Sequence, residues 1–332
     1  MGLILAGIDE AGYGPLLGPL CVGMSAWRVE SWSAGDPAPD VWEILGGVLA
    51  REVRGAGDRV VIADSKELKR PNSSARVHPL THLERGVLAV LGVIGRRPAD
   101  DAELVGMLGS AWPREPWYEV GPTALPLAWD AGLCGIAASR LAGACEKAGV
   151  GPIALACEVV GESRFNALVR SGGSKGATTL EGLRRHAASV IELAAAHPRD
   201  EVRIVCDRLG GRERYADVVA EVLGVPVDAV GVIEETAERS RYRALLGEAL
   251  GGRSIGMVFQ CESERAHLPV ALASMAAKLC RELGMVRFNR YWGGRLADVK
   301  PTAGYWQDAK RWLKAAGDRV SASERRRLVR IA

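Results

Sequence analysis

The sequence predicts an α/β fold, a sheet with helices on its faces, and three observations predict it. Strand-like and helix-like patterns alternate through the second half of the chain, as they do where helices cover a sheet. Two apolar runs, at 3–8 and 20–29, flank the turn Gly14-Pro15-Leu16-Leu17-Gly18-Pro19 and read as paired strands. Four acids, Asp9, Glu10, Asp207 and Glu262, fall at predicted strand ends, where ligands gather in sheets of this kind.

The first run, Ile4-Leu5-Ala6-Gly7-Ile8, suits a buried strand and ends in two adjacent carboxylates, Asp9 and Glu10. Adjacent strand residues point to opposite faces, so one carboxylate faces a site over the sheet and the other needs the following turn to bring it round. Gly12 and Gly14 in that turn allow backbone N–H groups to approach a phosphate or a sugar closely. Val60-Val61-Ile62 is a third short strand, ending at Asp64-Ser65-Lys66, a helix cap. Residues 80–94 are apolar enough for either helix or strand. Prolines at 98, 113, 116, 122 and 126 break the pattern over 96–150, where Trp112, Trp117 and Trp129 also fall, and a helix over 131–148 closes that region. Strand character returns from Ile153 to Val160. Leu180, Leu183, Ala187, Val190 and Ile191 lie on one face of a helix that begins at Thr178 and stops near His197-Pro198.

Val202–Cys206 is then a strand delivering Asp207, followed by a helix over 212–223, and Ile255–Cys261 is a strand delivering Glu262. Pro269 opens a helix that the pattern ends at Gly284. Helices over 306–316 and 322–331 finish the chain, the last with a capping box at Ser321-x-x-Glu324.

The 332 residues, 48% hydrophobic and 25% charged, are enough for a sizeable core without a metal or disulfide staple. The net charge of +3 allows a nucleic-acid partner without demanding one. The seven cysteines are odd in number, form no C-x-x-C pair and mostly sit in apolar runs, so they read as reduced core residues. With no signal-peptide pattern and no apolar run of about 18 residues, a cytoplasmic protein without a membrane partner is expected.

Carboxylates gathered at one sheet edge repel one another, and such a cluster makes chemical sense with divalent cations. Two such ions roughly 4 Å apart make a water nucleophilic and neutralise the leaving oxygen in phosphodiester cleavage.

At this point the residues match a known pattern. Gly7-Ile8-Asp9-Glu10-Ala11-Gly12-Tyr13-Gly14-Pro15-Leu16-Leu17-Gly18-Pro19-Leu20 resembles the opening of the type 2 ribonucleases H, the ribonuclease HII and HIII family. Asp64-Ser65-Lys66-Glu67-Leu68 resembles that family's Asp-Ser-Lys segment, and Val205-Cys206-Asp207 its third acidic strand end. Ala273–Glu282 resembles its Ala-Ser-Ile-x-Ala-Lys-x-x-Arg-Asp helix, and Lys300–Tyr305 its late Lys-Gly-Tyr segment. The matches occur in family order.

The resemblance implies a ribonuclease H-like mixed sheet flanked by helices. It also implies metal-dependent endonucleolytic cleavage of the RNA strand of RNA–DNA hybrids, leaving 3′-hydroxyl and 5′-phosphate ends. It implies a two-metal site of Mg2+ or Mn2+ held by Asp9, Glu10, Asp207 and a fourth acid. Glu262 fits that place because Ser follows it, whereas Glu264 fits by gapless spacing; Glu282 is expected to support the helix from outside the metal shell. Gly12, Tyr13, Gly14, Ser65, Lys66 and Tyr305 are the implied substrate contacts. Tyr13 stands where the family carries Arg or Lys, so a cationic phosphate contact is replaced by a residue able to stack or donate. The family core is expected over 1–95 and 151–300, with an insertion at 96–150 and a C-terminal helical region at 301–332. Arg325-Arg326-Arg327 is either a backbone-tracking run or a solvated helix face. Two other readings stay open: a catalytically weak homologue that binds structured nucleic acid, and a related nuclease acting on double-stranded RNA or branched DNA.

Overall fold

The computed structural model describes residues 1–71, 77–210, 212–247 and 252–331. In chain order the strands are β1 (Leu3–Ala11), β2 (Leu20–Val29), β3 (Leu49–Ala50), β4 (Val60–Val61), β5 (Val150–Val160), β6 (Glu201–Asp207), β7 (Val230–Glu235), β8 (Arg239–Leu245) and β9 (Ser254–Gln260). The helices are α1 (Val41–Ile44), α2 (Ser65–Leu68), α3 (Thr81–Val93), α4 (Asp101–Met107), α5 (Ala131–Ala148), α6 (Glu162–Gly172), α7 (Gly176–Ala195), α8 (Ala216–Leu223), α9 (Ser263–Ala266), α10 (Leu268–Arg295), α11 (Trp306–Ala316) and α12 (Ala322–Leu328). Among the described residues, seven strands form one mixed sheet in the order β5-β2-β1-β6-β9-β8-β7. β6 runs parallel to both β1 and β9, while β2, β5, β8 and β7 pair antiparallel with their neighbours.

The period of two along β1 divides its side chains between two cores. Leu3 and Leu5 join the cluster built with α3 and α10, while Ile4, Ala6 and Ile8 join the cluster built with α7 and α8. A strand buried on both faces reads as a continuous apolar run, which is why this one was plain in the sequence. Residues 80–94, ambiguous by pattern, form the helix α3.

α10 lies against β1 and β2 at backbone distance. A Cβ at Gly7 would overlap the backbone of Pro269 and Val270, and one at Gly23 would overlap the carbonyl of Ala273. Ser25 Oγ adds a hydrogen bond to the Pro269 carbonyl at 2.7 Å. From Leu268 to Met285 every residue of α10 is buried.

The expected end of this helix at Gly284 is not an end; α10 continues to Arg295. Gly284 makes room for packing rather than capping: a Cβ there would sit 2.9 Å from Pro19 and 3.1 Å from the ring of Trp112. The added turns carry Phe288 and Trp292 into an aromatic cluster with Trp117, Tyr118 and Trp312, which joins the 96–150 segment to α10 and α11.

The same segment is tied to α10 by a buried ion pair. Arg287 donates Nε to Asp101 Oδ2 at 2.6 Å and Nη2 to Oδ1 at 2.8 Å, and its Nη1 donates to the carbonyls of Tyr118 and Val120. The hairpin β7–β8 and the helices α4 and α6 were not anticipated. Cys261 is exposed and Cys134 half-buried, whereas the other five cysteines are core residues as expected.

Truncating one partner of a fully buried ion pair leaves the other charge uncompensated, at a cost of about 3–5 kcal/mol. Asp101→Ala is therefore expected to lower unfolding free energy by that order in urea denaturation. A loss below about 1 kcal/mol would show that Arg287 finds water instead.

Candidate active site

Asp9 and Glu10 lie inside β1, which extends to Ala11, rather than beyond its exit. Asp9 is buried and accepts a hydrogen bond from the Ser274 side chain of α10. Ser274 Oγ lies 2.9 Å from Ser65 Oγ, so the close seat of α10 on the sheet links Asp9 to the start of α2. The parallel register sets Ile8 against Cys206, which brings Asp207 of β6 beside the β1 acids. Asp207 accepts from the backbone N–H of Arg208 at 2.9 Å, and the backbone of Ser263 in the turn after β9 helps to lower its carboxyl.

That turn decides which acid completes the group. Glu262 has φ 49°, a left-handed conformation rare outside glycine, and its side chain is 71% exposed and pairs with Arg265. The expected place of Glu262 in the cluster is therefore corrected: the turn throws it outward. The first turn of α9 then carries Glu264 inward, where it is buried and its Oε1 lies 3.4 Å from Lys66 Nζ. Gapless spacing was the signal that pointed to Glu264.

The four acids share one field. Burial raises the Asp9 carboxyl well above its ordinary value, and the charges of Glu10 and Glu264 add to it. Burial, then Asp207 and Glu264, push Glu10 up to about 7 against the pull of Lys66. Asp207 is raised by burial and by Glu264. Lys66 is itself held above its usual value because Glu264, Asp64 and Asp9 outweigh its partial burial. Asp64 caps α2 by accepting from the Lys66 N–H at 2.8 Å, which fixes the base of the lysine while its side chain stays 76% exposed.

Beside the acids lies the 12–19 turn. Gly12 has φ 94°, and a Cβ there would meet the Pro19 carbonyl at 2.6 Å and Arg281 Cδ at 2.8 Å, so the turn requires glycine. Tyr13 is exposed, and its phenol is raised by partial burial and by the Glu10 charge. Leu16 and Leu17 donate to the Gly304 carbonyl at 2.9 and 3.2 Å, which brings the Lys300–Tyr305 segment against the turn. Tyr305 presents a half-exposed ring, and Lys278 donates to its hydroxyl at 3.1 Å. Burial works to raise that phenol, but Arg281 and Lys278 outweigh it and hold it below its usual value.

Glu282 pairs with Lys69, Lys278 and Arg281. The Ser65 hydroxyl is buried and turned to Ser274. Arg325 bonds the carbonyls of Leu313 and Gly317 at the end of α11, while Arg326 and Arg327 are exposed.

The residues suit a hard divalent cation by chemistry and charge. All four are carboxylates, the ligands such ions prefer, and Glu264 Oε2 is buried with no hydrogen-bond partner. Among the described residues no group of three or more His, Cys, Asp or Glu side chains stands as a formed cation cage. A cation would have to draw the carboxylates closer.

No family model matches the chain, and no curated protein matches it. Over nearly its whole length it is similar in outline to solved ribonuclease structures. The ribonuclease HII of Archaeoglobus fulgidus, solved in complex with PCNA, is 15% identical with a TM-score of 0.41, covering 99% of this chain and 94% of that one. Ribonuclease H2 of Pyrococcus horikoshii is 11% identical with a TM-score of 0.41, covering 95% and 88%. A mutant Bst-RNase HIII is 14% identical with a TM-score of 0.39, covering 98% of this chain and 65% of that one. Likenesses this distant carry no argument about activity.

One buried acid behind the turn lends itself to measurement. Glu162 accepts from Gly18 N at 3.0 Å, from the Tyr118 hydroxyl at 3.0 Å and from Trp117 Nε1 at 3.2 Å. Burial pushes its carboxyl up to about 7, aided by Glu115 and opposed by hydrogen bonds. A proton bound more tightly in the folded chain stabilises the fold fully below the unfolded value, and that contribution fades as pH rises through about 7. Between about pH 5 and pH 8 the melting temperature should fall more for the wild type than for Glu162→Gln; parallel curves would refute a role for this group.

Proposed function

We propose that the chain is a divalent-cation-dependent endoribonuclease that cuts the RNA strand of RNA–DNA hybrids, with Asp9, Glu10, Asp207 and Glu264 as the cation-holding carboxylates. The observation that carries this reading is the convergence of these acids from β1, β6 and α9 on one field, with a buried, unpartnered oxygen on Glu264. The sequence resemblance set out above supplies the substrate class. Bound there, divalent cations would activate a water and neutralise charge on the leaving oxygen.

The chain's own residues bind and orient. The Lys66 ammonium, exposed beside Glu264, is placed to meet a phosphate oxygen of the strand being cut. Tyr13 in the turn and Tyr305 beside it offer exposed rings for packing against sugars or bases. The backbone N–H groups of Tyr13 and Gly14 make no hydrogen bond within the described residues, so they are available to a ribose 2′-hydroxyl, the group that separates RNA from DNA. The Ser274 hydroxyl beside Asp9 favours the charged form of its carboxyl.

The test is cleavage of end-labelled duplexes with magnesium, manganese or chelator. The panel is an RNA–DNA hybrid, a DNA duplex with one ribonucleotide, double-stranded RNA, branched DNA and plain duplex DNA. The wild type should cut the hybrid only with metal, leaving 5′-phosphate ends. Asp9→Asn and Glu264→Gln should each lose at least about a hundredfold, since ligand loss forfeits several kcal/mol of transition-state stabilisation. Glu262→Gln should retain the wild-type rate. Binding without metal-dependent cutting would instead favour a nucleic-acid-binding homologue, which the replacement of a loop cation by Tyr13 motivates. Equal loss in Glu262→Gln would sink the assignment of Glu264.

A further inference from the structure

The chain's C-terminal segment reaches back to the 12–18 turn and closes on it. Asn166 of α6 holds the segment with both ends of its amide: Nδ2 donates to the Val329 carbonyl at 2.9 Å and Oδ1 accepts from Ile331 N at 2.8 Å. Arg330 between them donates its backbone N–H to the Leu16 carbonyl at 2.9 Å. Its side chain is 2% exposed and its guanidinium carbon lies 3.7 Å from the centre of the Phe165 ring. Nη1 donates to the carbonyls of Gly12 at 2.5 Å and Gly18 at 3.4 Å, and Nη2 donates to that of Tyr13 at 2.9 Å. One planar cation thus bridges both ends of the turn through charge-assisted bonds.

This arrangement has a consequence for the exposed side of the turn. A trans peptide is planar, and its C=O and N–H point in opposite directions. When the carbonyl of Gly12 is drawn inward to Arg330, the N–H of Tyr13 is directed outward. The inward carbonyl of Tyr13 does the same for the N–H of Gly14. Each carbonyl bonded to a cation also polarises its peptide, which strengthens the opposite N–H as a donor. Two successive outward donors form a concavity suited to an oxygen ligand. Tyr13 and Gly14 are both exposed, so this side of the turn faces solvent.

We propose that Arg330 is a positioning residue that presets the Tyr13 and Gly14 N–H groups to read a ribose 2′-hydroxyl, a cation supplied from the far end of the chain beneath a turn that carries none. The inference rests on the ribonuclease reading for the identity of the ligand, while the preset turn stands on the hydrogen bonds alone. Glu162, behind the turn, lies within electrostatic reach of the guanidinium and offsets its burial.

The experiment compares wild type with Arg330→Met, which keeps contact with Phe165 but donates nothing, and with Arg330→Lys, which keeps the charge but not the fork. Two quantities are read in chelator, so that no strand is cut. One is amide hydrogen exchange at Leu16, Leu17 and Gly18, whose N–H groups are hydrogen-bonded; the other is the ratio of affinities for an RNA–DNA hybrid and a DNA duplex of the same sequence. Both variants should exchange faster at these three amides and lose about tenfold or more of the hybrid preference, the scale of a charge-assisted contact, while affinity for the DNA duplex stays within about twofold. Thermal melting identifies a variant that has lost its fold, in which case the other variant is read.

Unchanged exchange would overturn the preset turn whatever the substrate. Faster exchange with the hybrid preference intact would overturn the reading role. A wild type with no hybrid preference, but with exchange that responds to Arg330, would overturn the ribonuclease reading and the ligand named here, a failure distinct from the first.

Discussion

The structure depends on the approach of α10 to β1 and β2 at backbone distance. Gly7 and Gly23 remove the two side chains that would hold the helix off the sheet. The resulting seat fixes what each turn of α10 can reach. Ser274 meets Asp9, Lys278 and Arg281 come beneath Tyr305, Arg287 reaches Asp101, and Phe288 and Trp292 enter the aromatic cluster. A side chain at either glycine would push out the helix, and with it every one of these contacts, because packed interiors have no slack to absorb a displacement.

Around that seat the charges are arranged in two groups. The acids near the C-terminal ends of the central strands β1 and β6 and on α9 raise one another and are met by an exposed Lys66. Behind the turn lie three buried cations, Lys278, Arg281 and Arg330, with Glu282 and Glu162 as their counter-charges. Glu264 Oε2 among the acids has no hydrogen-bond partner. The buried arginines are largely satisfied by carbonyls of Gly12, Tyr13, Gly18 and Ala303, although Nε of each has no partner. The turn between the two groups is therefore held from behind and left open in front.

Much of this was legible in the sequence. The bounds of β2 and α5 agree with the reading, and the Ser321 capping box is formed, because strand burial, helix caps and turn glycines act over a few residues. Where the reading stopped short, nonlocal packing was responsible. α10 is buried nearly all round, so no periodic face marks its length, and Gly284 looked like a terminator when it is a packing site. β8 alternates arginine with buried Ser240, Tyr242 and Ala244, and its charged face hid the strand.

The sequence by itself determined the α/β class, the nearness of Asp9 and Glu10 to the end of the first strand and of Asp207 to the end of another, and the glycine turn beside them. Each follows from local pattern. Only the tertiary structure set which of Glu262 and Glu264 turns inward, since a single left-handed residue after β9 directs one side chain to solvent and the other to the interior. Only the tertiary structure, likewise, brought Arg330 under Gly12, 318 residues away in the chain. No local propensity encodes such a contact; it exists because α6 and the sheet close the fold around it.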